Sequence, residues 1–169
     1  MIVRLAVALA LLVLPAAAEE PIQAEAPADA TVLARLHHAN QMEMDLGQLA
    51  KLKGATREVR AFGDRLTRDH LVADRSVIAF AKRHATTLSE AATGTRVMRE
   101  RLDALTGADF DREFLASMAE AHGDAIAMVD DACRQPISAE LKTFLEKLRP
   151  ILEQHRTIAL ALPQEHPTS

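Results

Sequence analysis

The feature that most limits what this chain can become is a stripe of apolar residues, recurring every three or four positions, with polar side chains set into it. That spacing marks one face of a helix. Over residues 110–162 the stripe appears twice, broken at Gln135-Pro136. The first run reads Phe110, Phe114, Met118, His122, Ala125 and Val129, with Ala121 and Met128 beside them. The second reads Leu141, Phe144, Leu148, Ile151, His155, Ile158 and Leu162. Pro136 cannot continue a helix, so it separates the two. Ser138 starts the second, and Pro150 lies inside it, where the lost backbone bond predicts a kink.

The first half of the chain carries the same pattern. Residues 31–53 present Leu33, Leu36, Asn40, Glu43, Leu46 and Leu49, with Gly54 just past the end. Residues 56–85 present Val59, Phe62, Leu66, His70, Ala73, Val77 and Ala81, with Arg57, Arg60, Asp64, Arg65, Arg68 and Asp74 on the polar face. Thr56 is placed to cap this helix, and Asp29 or Thr31 the one before it. Between the halves, residues 95–105 form a short crossover helix with Val97, Met98, Leu102 and Leu105 on one side. Asp109 is expected to cap the helix that follows.

The halves align at an offset of 82 residues with no gap through the turn. Residues 57–62 then fall on residues 139–144, Leu36 on Met118, Asn40 on His122 and Leu46 on Met128. The second histidine of each half does not coincide: His70 follows Phe62 by eight positions, and His155 follows Phe144 by eleven. Two similar hairpins joined by a long crossover predict an all-α, ferritin-like antiparallel four-helix bundle over residues 31–162. Composition agrees, because the 49% hydrophobic content is mostly Ala and Leu, with 6 Gly and 7 Pro.

The N-terminus reads as a targeting segment. Arg4 precedes an unbroken apolar run over residues 5–14, and Pro15-Ala16-Ala17-Ala18 supplies an A-x-A site. Residues 1–18 are therefore expected to be a signal peptide for the periplasm or secretion, an uncleaved N-terminal anchor being the alternative. Residues 19–30, rich in Pro, Ala and acid, are expected to be a flexible leader, and residues 163–169 a tail. Cys133 is the only cysteine, so no internal disulfide forms, and burial near a helix end is expected. A net charge of -4 with no basic block excludes a nucleic-acid partner.

The runs ANQMEMDLGQLA (39–50), VRAFGDRLTRDH (59–70), TGADFDREFL (106–115) and LRPILEQH (148–155), with the N-terminal segment, resemble the exported bacterial family catalogued as domain of unknown function 4142. The resemblance implies a ferritin-like fold and an envelope location, and brings no activity. The run Met118-x3-His122-x2-Ala125-x2-Met128 is similar to a motif of a second exported family, domain of unknown function 305, which has a histidine where this chain has Ala121.

Three inward histidines, His70, His122 and His155, come from three helices, and Asn40 or Glu43 can complete a set from a fourth. Imidazole suits Zn, Cu, Fe or Ni. Met118 and Met128 beside His122 add copper character. The Glu-x-x-His pairs of di-iron bundles are missing: Thr67, Ala119 and Leu152 stand three residues before the histidines. Asp69 and Glu153 fall off the inward stripe. His37-His38, His84 and His166 read as surface residues. No nucleophile-base arrangement or phosphate loop is present. Two readings stay open. One is a non-enzymatic envelope module, binding or stress-related, with a protein partner or self-association. The other is a bundle binding copper or iron through His70, His122 and His155 with Glu43 or Asn40.

Overall fold

The computed structural model describes residues 27–88 and 94–162. The signal peptide, the leader as far as residue 26 and the tail with His166 lie outside the described residues. Among the described residues there are five helices and no strand: α1 (Pro27–Lys53), α2 (Arg57–Arg83), α3 (Gly94–Asp103), α4 (Gly107–Cys133) and α5 (Ala139–Ala161). None is long and apolar enough to cross a membrane.

Helices α1 and α2 pack as one hairpin, and α4 and α5 as a second. The first hairpin is drawn tight by two glycines. A Cβ on Gly63 would stand 2.5 Å from the Gly47 carbonyl oxygen, and one on Gly47 would stand 2.7 Å from that of Gly63. Absence of both side chains lets the two backbones touch. Thr56 caps α2 as expected, accepting from the Val59 amide, and Ser138 caps α5 by accepting from Leu141. The cap of α4 differs from expectation. Thr106 holds that position, and Asp109 lies in the first turn, facing the positive end of the helix dipole. Helix α1 begins at Pro27, four residues earlier than its apolar stripe suggested, so residues 27–30, expected in the flexible leader, are helical, and Asp29 among them is tied to the head of α5.

Asp29 does not cap its own helix. It is fully buried, and its carboxylate accepts from the Ser138 amide at 3.0 and 3.3 Å, at the head of α5. Asp111 does the same in the other direction. Its two oxygens accept from the Ala55 amide at 2.8 Å and from the Thr56 amide and hydroxyl at 2.9 Å, at the head of α2. Asp29 and Asp111 are 82 positions apart, and so are Thr56 and Ser138, so the sequence repeat is a structural exchange. Each hairpin lends an aspartate to the helix start of the other. Replacing Asp111 by alanine should therefore cost about 2–3 kcal/mol, since two amides lose a charged acceptor away from bulk water. Urea unfolding measures it.

The apolar core is divided in two. One cluster gathers Leu33, Leu36, Val77, Phe80, Val129, Leu141 and Leu145. The other gathers Leu46, Leu66, Leu102, Phe110, Phe114, Leu115 and Met118. Phe114 stands at the centre of the second, edge-on to Phe62 and stacked on Phe110. Helix α3 closes that end. Leu102 is fully buried, Arg99 pairs with Asp45, and Lys53 reaches Asp103 at 3.1 Å.

Several faces differ from the periodic reading. Helix α5 runs through Pro150 and buries Leu141, Leu145, Leu148, Leu152, His155 and Ala159. Ile151, expected inside, is 43% exposed. Asp74, assigned to the polar face, is buried and takes a 2.7 Å hydrogen bond from His37 Nδ1. His37 and His38 are consequently half-buried rather than a surface pair. Cys133 is half-buried against the first cluster.

Candidate metal centre

The two apolar clusters are separated by a polar layer. On α1 it interrupts the stripe between Leu36 and Leu46, with Asn40 and Glu43. On α2 it is His70, on α4 His122 and on α5 His155, all five buried. Helical periodicity alone carries these residues inward, since each occupies a position otherwise held by leucine, valine or methionine. A layer of this kind is expensive for a fold, because every polar atom in it has left water.

Each histidine has one ring nitrogen tied to an acceptor. His122 Nδ1 donates to the Met118 carbonyl at 2.8 Å. His155 Nε2 donates to Asp69 Oδ2 at 2.9 Å. His70 Nδ1 donates to Asn40 Oδ1 at 2.9 Å. A carbonyl or carboxylate only accepts, so the tautomers follow, and the opposite nitrogen of each ring is left with a lone pair. The three rings converge: one ring nitrogen from each of His70, His122 and His155 lies within 4.8 Å of the others. His122 Nε2 and His155 Nδ1 are 3.2 Å apart. His70 Nε2 is buried with no hydrogen-bond partner. The His122 and His155 rings reach across to each other, edge to face.

Burial also decides the charge of the layer. Desolvation pushes the His70 imidazole down to about 3, helped by the neighbouring His122 and His155. It pushes His122 down to about 4, against the hydrogen bond to Met118 that favours the charged ring. His155 is lowered too, again by burial, although Asp69 opposes the shift. The three rings are neutral at pH 7. Neutral imidazole is the form that binds a metal. Glu43 is moved the other way, its acid pushed up to about 8 by burial alone.

A model of the family described as domain of unknown function (DUF4142) matches residues 14–162. The chain belongs to that family. No curated protein matches it. Among solved structures, a DUF305 fragment from Deinococcus radiodurans aligns with a TM-score of 0.73 at 14% identity, over 80% of this chain and 95% of that one. CopM in its Cu(II)-bound form aligns with a TM-score of 0.63 at 15% identity, over 78% of this chain and 93% of that one. Both share the helical fold of this DUF4142 chain.

Of the five residues expected to form a site, three face one another in this DUF4142 chain and two stand behind them. Asn40 orients His70. Glu43 Oε1 lies 3.6 Å from His122 Nδ1, on the side of the ring away from the trio, and its other oxygen has no partner. Asp69 was missed. It was placed off the stripe, yet it holds His155 from α2, is itself held by Arg65 Nε at 3.3 Å, and is partly open to solvent. Burial would raise its carboxyl; the hydrogen bonds from His155 and Arg65 outweigh that and lower it. The available signal was its spacing with Phe62, Leu66 and Ala73, a second stripe on α2 that faces α5.

Proposed function

We propose that this DUF4142 chain is a metal-binding protein, a ferritin-like four-helix bundle that holds one copper ion on His70 Nε2, His122 Nε2 and His155 Nδ1. One observation carries the reading: three buried imidazoles bring a nitrogen each within 4.8 Å of the others, and every ring has a nitrogen held by an acceptor. That outer ring of Asn40, the Met118 carbonyl and Asp69 is the usual partner set of metal-bound histidines. The 3.2 Å between His122 Nε2 and His155 Nδ1 lies in the range of about 2.8–3.4 Å that two neighbouring imidazoles adopt on one ion with bonds of about 2.0–2.1 Å, from tetragonal to tetrahedral. His70 completes the set by moving inward about 1–1.5 Å. Two lone pairs at that distance repel, so the layer is at odds with itself without a cation.

Copper is favoured over iron. The donor set is three nitrogens with no carboxylate, and copper leads the divalent series at such sites. The similar protein CopM is described in a Cu(II)-bound form, which agrees. We place the protein in the periplasm, on the strength of Arg4, the apolar run at residues 5–14 and the Ala16–Ala18 site. Titration of metal-free protein with Cu(II), followed by calorimetry and electron paramagnetic resonance, tests the reading. One equivalent should bind with a nitrogen hyperfine pattern. No binding, or a signal free of nitrogen coupling, removes it.

A further inference from the structure

Three protein donors leave a metal one open position. In this layer most directions out are closed. Asn40 and Glu43 block the α1 side, His122 the α4 side, and the two apolar clusters fill the space above and below. Helices α2 and α5, by contrast, approach each other closely at few places. Between them lies a cleft of about 290 Å³. Buried His70 and His155 and the partly exposed Asp69 line it, together with Val72, Ala73, Phe144, Leu148 and Ile151. Lys147 and Ser76, both exposed, stand at its mouth.

The volume is near the lower end of the roughly 300–1,000 Å³ usual for small-molecule sites. The walls are apolar and not fully covered: Val72 is 63% exposed and Ile151 43%. His70 Nε2, the buried atom without a partner, belongs to a ring that lines the cleft. A protein segment would need a broad surface. A narrow apolar pocket with two histidines among its lining residues fits a compact molecule instead.

We propose that the α2–α5 cleft binds a small apolar molecule whose single nitrogen or oxygen donor takes the open position on the metal. The proposal rests on the copper reading given above. The apolar body lies against Phe144, Leu148 and Ile151, and the donor head points to His70 and His155. Lys147 and the Asp69 carboxylate, of opposite sign in the one cleft, favour a neutral ligand.

The probe is 4-phenylimidazole, compared with imidazole, titrated into the copper-loaded full chain and followed by the visible spectrum of Cu(II). Both carry the same donor, and only one has a body to bury. Phenylimidazole should bind at least about tenfold more tightly, as burial of an aromatic ring allows. Ile151→Asp, a change at an exposed position, should reduce that preference to about twofold or less by wetting the wall, and leave imidazole affinity unchanged. Ala73→Phe, which fills the cleft, should weaken both probes by exclusion and phenylimidazole the more, again reducing the preference to about twofold or less, so the test does not depend on one variant.

Equal affinity for the two probes overturns the proposal, as does a preference that survives both substitutions. Copper that binds with nitrogen coupling yet responds to neither probe overturns it too, while leaving the copper reading intact. Failure to bind copper at all overturns both.

Discussion

His122→Leu is expected to lower copper affinity at least about a hundredfold and, in the same protein, to raise metal-free stability by about 1–2 kcal/mol. The two effects have one cause. His122 supplies one of three converging lone pairs, so its loss breaks the centre. In the absence of metal that lone pair faces another at 3.2 Å and finds no donor. Its other nitrogen bonds to the Met118 carbonyl, which the helix already engages through its own backbone, so that bond is worth little. Leucine fills the place with apolar surface between Met118 and Val129. Asp69→Asn, which touches only the outer nitrogen of His155, should weaken copper binding less, by about ten- to a hundredfold. Chelator competition and urea unfolding are the measurements. A His122→Leu protein that is less stable than the wild type would identify the histidine as a structural hydrogen-bonding residue, and unchanged copper affinity would dismiss the centre.

Metal-free protein is expected to be most stable near pH 6.5 and to lose stability on both sides of it. The acid side belongs to the histidines. His70 and His122 have folded values of about 3 and about 4, below their ordinary 6.5, so the unfolded chain takes up protons that the folded one refuses. Stability therefore falls as the pH drops from 6.5. Glu43 works against this above its ordinary 4.5, because its folded value is about 8 and the native state holds the extra proton. Two histidines outweigh one acid, which leaves a net loss of about 2 kcal/mol between pH 6.5 and 4.5, increased by the lowered His155. Between pH 6.5 and 8 the unfolded histidines shed the last of their protons, and Glu43 comes to dominate. The unfolded carboxyl is already ionised there, so stability falls by about 1 kcal/mol as pH rises and levels off above 8. Glu43→Gln should remove the alkaline decline and steepen the acid one. Urea denaturation from pH 4.5 to 9 reads both slopes; a wild-type profile that stays level between pH 6.5 and 8 contradicts the burial of a neutral Glu43.

The inward stripes of α1, α2 and α4 were legible because a helix repeats every 3.6 residues whatever surrounds it. Leu33, Leu36, Asn40, Glu43, Leu46 and Leu49 are all buried as their spacing predicts, and so are His70, His122 and His155. The centre's outer ring was legible only in part. Asn40 sits on the main stripe of α1. Asp69 sits on a flank of α2 that matters because α5 lies there and brings His155 to it. Asp74 was misjudged for the same reason: its partner, His37, is on another helix. On α5, the shared positions Leu141, Leu148 and His155 fit two stripes equally well. Packing against α4 selected the one with Leu145 and Leu152 and left Ile151 to line the cleft.

Chain order and periodicity determined by themselves which residues turn inward, where the helices break, and that two hairpins repeat at a spacing of 82. They could do so because those properties are local, set within one helix by its pitch and its caps. Only the tertiary structure decided that Asp29 and Asp111 exchange between hairpins, that three lone pairs meet, and that α2 and α5 stand apart beside them. Those facts depend on the distance between side chains from different helices, and no spacing along one chain segment encodes that distance.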